Sequence, residues 1–83
     1  MQLAAGRVYR AKKPLPAGNA AAAYFNDRKI VWMDETTVQY SSPSVTHGRP
    51  CPAMDRKAFE EWACRDVTDQ LSDGKWQKWG DAE

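Results

Sequence analysis

The chain has no long apolar run. No segment approaches the roughly 20 consecutive apolar residues that a membrane span needs, and the stretch from Met1 to Arg10 lacks the apolar core of a secretory signal. These absences predict a cytoplasmic protein with no membrane partner. Cysteine is scarce too. Cys51 and Cys64 are the only two and stand outside any Cys-x-x-Cys spacing, so in a reducing compartment they are expected to stay free thiols. His47 is the single histidine. With Cys51, Cys64 and either Asp55 or Asp66 it makes a poor zinc set, because structural sites offer ligand pairs about two to four residues apart. No G-x-S-x-G elbow surrounds Ser41, Ser42 or Ser44. Glu60 and Glu61 are adjacent on an expected helix and so point in different directions. The sequence therefore predicts no catalytic residue, no metal, no cofactor and no small-molecule substrate: a non-enzymatic protein.

Acid is absent from the first 26 residues, which carry Arg7, Arg10, Lys12 and Lys13. Through Lys57 there are nine Lys or Arg against four Asp or Glu, and from Ala58 onward three against seven. The formal net charge of +1 thus hides a basic half followed by an acidic half, a layout that steers partners. Eighty-three residues make one small domain, 1–83, with 75–83 as a possible flexible tail and little room for a deep cleft.

What is present most clearly is a β-hairpin from Arg28 to Tyr40. Ile30 and Trp32 share one face of a strand, Val38 and Tyr40 one face of the next, and all four types favour pleated surfaces. Matching those faces sets Trp32 opposite Val38 and Ile30 opposite Tyr40, which leaves an odd loop, with a type I turn around Asp34. Asn26-Asp27 is placed to close a second hairpin that sets Ala21 and Ala23 opposite Trp32 and Ile30. The alternative for Asn19 to Phe25 is a helical turn, given four consecutive alanines.

Gly6 to Ala11 reads as a first strand whose unpaired edge leaves a dimer open. Lys12 to Gly18, with two prolines, reads as a basic loop. Ser41 to Pro52 is a long loop with little regular structure expected, and loops of this length in small domains are more often functional than idle. Asp55 is a good N-cap for one helix, with Met54 stapling onto Phe59. Phe59, Trp62, Ala63 and Val67 form its buried stripe, Leu71 extends it, and Ser72-Asp73-Gly74 ends it. The fold class is α+β: a three- or four-stranded antiparallel sheet packed by one C-terminal helix, with an SH3-like small barrel as the nearest named architecture and an unclosed sheet fitting equally.

Two binding surfaces emerge. Trp76 and Trp79 in the polar tail, with Arg49 and His47 in the long loop, are candidate contacts for a protein partner, because tryptophan is enriched in interface hot spots and loops and tails display contacts; the alternative for the two tryptophans is that the tail folds back and both rings cover the sheet or the helix. The other is nucleic acid, read from Arg7, Arg10, Lys12, Lys13, Arg28 and Lys29 interleaved with Tyr9, Tyr24 and Phe25, the pairing that small β-barrels use on single strands. Gly6-Arg7-Val8-Tyr9-Arg10, Val38 to Val45, Gly48-Arg49, and Phe59 to Ala63 with Asp66-Val67-Thr68 resemble small uncharacterised phage and prophage proteins of proteobacteria. That resemblance implies a host-cell cytoplasmic setting and an accessory protein that binds and modulates or inhibits a host protein.

Overall fold

The computed structural model describes residues 2–19, 22–45, 48–71 and 75–80. Its centre is the expected hairpin, strands β4 (Arg28–Met33) and β5 (Thr37–Ser41). Ile30 lies opposite Tyr40 as the face-matching argument requires, but the register shifts before Trp32, which pairs with Gln39, while Met33 pairs with Val38. A bulge at Val31 causes the shift. One extra residue reverses the alternation beyond it, so Ile30 and Met33 point to the core while Val31 and Trp32 stand out at 44% and 50% exposure. Trp32 is therefore not part of the inner face. The tip closes with Asp34 N–H donating to Thr37 O at 3.0 Å, and the Asp34 carboxylate accepts from the backbone N–H of Thr36 at 2.9 Å and of Thr37 at 2.8 Å.

Strand β1 (Val8–Ala11) pairs antiparallel with β4 on one side and with β7 (Ala63–Asp66) on the other. It is an interior strand, not the free edge expected from the sequence. Strand β6 (Ala53–Asp55) adds to β5, which completes a five-stranded antiparallel sheet in the order β6-β5-β4-β1-β7. The sheet is larger than the three or four strands predicted, and it does not close into a barrel. Strands β2 (Pro16–Asn19) and β3 (Ala22–Phe25) form a separate two-stranded sheet.

That second sheet overturns two expectations. Lys12 to Gly18 is not wholly loop, because Pro16 takes the first position of a strand, where its missing N–H costs no ladder bond. Nor does Asn26-Asp27 turn β3 onto β4. Asn26 N–H donates to Leu15 O at 3.0 Å and its side-chain oxygen accepts from Leu15 N–H at 3.0 Å, extending the β2–β3 ladder by one pair. Ala23 consequently faces Gly18, not Ile30; Ala21 lies outside the described residues.

The helix α1 (Arg56–Trp62) starts as expected, with the Asp55 carboxylate accepting from Ala58 N–H at 3.2 Å. It ends early. Ala63 is already extended, and Ala63–Asp66 is strand β7 rather than the next helical turn; Thr68–Gln70 follows as a single 3-10 turn. The vacant edge of β1 offers ladder bonds to this segment, and that tertiary gain overrides local helical periodicity. The sheet is thus packed by a helix that precedes its last strand. The expected stop at 72–74 lies outside the described residues.

Leu3, Tyr9, Ile30, Val38, Phe59 and Ala63 form the core between sheet and helix, with Met33, Tyr40, Met54 and Trp62 packed around it. Phe59 is the hub: its ring meets Tyr9 edge-on at 5.8 Å, Trp62 at 5.2 Å and Tyr40 at 6.2 Å. Because β1 is covered on both faces, all four of its residues are buried, Arg10 included.

Candidate functional site

Arg10 sits where a strand residue normally contributes an apolar side chain, and the structure compensates in full. Its Nε and Nη2 donate to the two carboxylate oxygens of Asp27, each at 2.9 Å, and both side chains are buried. Such a fork-to-fork pair fixes orientation as well as charge. Nη2 also donates to Gln77 Oε1 at 2.8 Å, and the guanidinium carbon lies 4.0 Å from the centroid of the Phe25 ring.

This buried cluster holds the C-terminal segment in place. Phe25 N–H donates to Gln77 O and Trp79 N–H to Ala23 O, both at 3.0 Å. Lys78 bridges antiparallel to Tyr24, and the Trp79 ring packs on Phe25 at 5.0 Å while remaining 41% exposed. Residues 75–80 are therefore attached along the edge of β3. Residues 81–83 of the predicted tail lie outside the described residues.

The segment after β5 is shaped by its own chemistry. Val45 N–H donates to Ser42 O at 3.0 Å, a β-turn with Pro43 in the position that suits its fixed φ. The base of the loop is pinned where Tyr40 N–H donates to Pro52 O at 3.0 Å and Gln39 Nε2 to Cys51 O at 3.1 Å. Gly48 adopts φ +84°, a conformation other residues resist.

Loop and C-terminal segment together enclose a cleft of about 390 Å³. Tyr24 and Trp76 provide aromatic wall, Pro43 and Val45 aliphatic wall, and Ser41, Ser42, Arg49 and Cys51 the polar groups, with Gly48 also in the lining. Arg49 and Trp76, candidate contacts from distant parts of the chain, thus line one hollow. Trp79 does not line it and packs against Phe25, and His47 is outside the described residues.

The six basic residues of the nucleic-acid reading have diverse fates. Arg10 is inside the protein. Arg7 Nε donates to Asp66 Oδ2 at 2.8 Å, with Asp69 at 3.7 Å from Nη2, and its pKa is raised by the hydrogen bond to Asp66. Burial pushes the Asp66 carboxyl up, but hydrogen bonds from Arg7 and Thr68 outweigh it and hold Asp66 below its ordinary value. Arg28 is stacked between Trp62 at 4.2 Å and Tyr40 at 4.6 Å. Lys12, Lys13 and Lys29 remain exposed, the first two beside a hollow that Glu61 also lines. Three of the six are thus occupied by intramolecular partners, and the set forms no continuous track.

Sequence reasoning missed Tyr24 and Cys51 as cleft residues and missed the cluster of Arg10, Asp27 and Gln77. One signal for the cluster was available: Asp27 is the first acid in the chain, just before a strand partner of β1. Among the described residues no group of three or more His, Cys, Asp or Glu could hold a metal ion, and no helix is long and apolar enough to cross a membrane. Comparison with protein-family models, with curated proteins and with solved structures finds no match for this chain.

Proposed function

We propose that the chain is a non-enzymatic binding module that acts through a protein partner, and that the partner engages the cleft between the loop after β5 and the C-terminal segment. The observation that carries this reading is the convergence of Arg49 and Trp76, from distant parts of the chain, on one hollow with a mixed aromatic and polar lining. Arginine and tryptophan are the residue types that dominate binding energy at protein interfaces. A rigid scaffold stands behind them, because the C-terminal segment is held by Arg10 and by the β3 ladder. The phage-type resemblance supplies a setting, an accessory protein that binds and modulates or inhibits a host protein in the host cytoplasm.

The test is retention on immobilised full-length protein from a bacterial host extract, comparing the wild type with Arg49→Glu and Trp76→Phe. One dominant polypeptide, held by the wild type and lost from Arg49→Glu, is the expected result. Retention unchanged by both substitutions would remove the cleft from the binding site. The nucleic-acid reading has less to stand on, since Arg7, Arg10 and Arg28 are engaged within the protein.

A further inference from the structure

Arg49 differs from every other arginine of the chain in having no hydrogen bond, ion pair or ring contact among the described residues. Arg7 is held by Asp66 and Arg10 by Asp27. Arg28 lies between two rings, Arg56 Nη1 donates to Asp34 O at 3.0 Å, and Arg65 is also engaged. Arg49 is exposed and lines the cleft, and among the described residues no Asp or Glu does so. Cations also stand nearby among the described residues. Exposed lysines adjoin it in three places: Lys29 opposite Ser41 across the β4–β5 ladder, Lys75 next to Trp76, and Lys78 opposite Tyr24.

We infer that this cleft receives an acidic peptide segment, with a carboxylate seated on Arg49 and an adjacent apolar side chain laid against Trp76, Tyr24 and Val45. The inference rests on the protein-binding reading above and names the chemistry of the partner. Arginine presents a planar fork that matches a carboxylate, and a hollow of about 390 Å³ is of the size that takes a few side chains rather than a folded surface. Pro43 and Val45 make part of the wall aliphatic, which suits an apolar side chain. A single strand of nucleic acid asks instead for a line of cations with stacking rings in series, and among the described residues Arg49 is the one cation in the lining.

The experiment is fluorescence anisotropy of a labelled peptide of mixed Glu and Leu residues, titrated with full-length protein at low and high salt. Its Lys-for-Glu counterpart and an oligothymidine of equal charge run as parallel arms. The acidic peptide saturates, its affinity falls as salt rises, and the lysine peptide does not bind. Arg49→Glu weakens the acidic peptide by about ten- to hundredfold, the loss expected for hydrogen bonds between charged groups. Arg49→Lys, which keeps the charge and loses the planar fork, falls between the two. Absence of saturation at millimolar peptide, binding indifferent to Arg49→Glu, or Arg49-dependent binding of the oligothymidine alone would each overturn the inference. If the peptide fails while the immobilised protein still retains an Arg49-dependent host polypeptide, the acidic-segment inference falls and the protein-binding reading stands. If that retention is absent too, both fall.

Discussion

Two side chains show how environment, not residue type, sets what a position does. Arg10 is one of the most polar groups available, yet it is among the largest fully buried side chains in the protein. Desolvation of an isolated charge there would be prohibitive, so the pair with Asp27 is a condition of the fold rather than an ornament. Asp27→Asn leaves the guanidinium without its counter-charge and is expected to cost about 3–5 kcal/mol in urea unfolding. Arg10→Met combined with Asp27→Leu removes both charges and should recover most of that loss. Trp32 is the converse case. Its half-exposed ring contributes little packing, so Trp32→Ala should change stability by less than about 1 kcal/mol, whereas Phe59→Ala at the hub should cost about 3–5 kcal/mol. A comparison of denaturant midpoints for the two variants checks both.

The elements show where local pattern was sufficient and where it was not. The hairpin was legible because Ile30, Val38 and Tyr40 alternate cleanly. The bulge was not, since a single extra residue at Val31 is decided by what Met33 can reach in the core. The helix start was legible in Asp55, but its end was not, because the segment after Trp62 has two acceptable conformations and only the open edge of β1 selects the strand. For the same reason Pro16 and Gly18 read as loop although the β2–β3 ladder accommodates them. At the hairpin tip, backbone N–H donors of Thr36 and Thr37 hold the Asp34 carboxyl below its ordinary value. A depressed folded pKa means that the unfolded chain binds the proton first. The contribution of Asp34, together with that of Asp66, is therefore complete above the ordinary carboxylate pKa of about 3.9 and is lost as pH falls below it. Thermal unfolding across an acid series should show this decline, and Asp34→Ala should flatten it relative to the wild type; an unchanged slope would mean that the tip donors do not act on the carboxylate.

At the scale of the whole molecule, the charge division along the chain is not a charge division in space. Strand β7 from the acidic half lies beside β1 from the basic half, and Arg7 meets Asp66 and Asp69 there. Folding therefore neutralises part of the basic end that the sequence appeared to present to nucleic acid. Oligonucleotide affinity should accordingly be weak even at low salt, and its salt dependence shallow, because Arg7, Arg10 and Arg28 of that end are engaged within the protein and cannot release counterions freely. A steep salt slope would restore the nucleic-acid reading. The candidate site was legible only in fragments: Arg49 and Trp76 stood out by residue type, but their meeting depends on the buried Arg10, which no local pattern assigns to holding Gln77. The central claim is that this meeting place binds a partner. Its most direct test is the amide and indole nitrogen–proton NMR spectrum of the full chain, recorded with and without the Glu and Leu peptide. Shifts concentrated at Tyr24, Ser41, Ser42, Arg49 and the Trp76 indole are the predicted result; shifts confined to Arg7, Lys12, Lys13 and Lys29, or none at all, would contradict it.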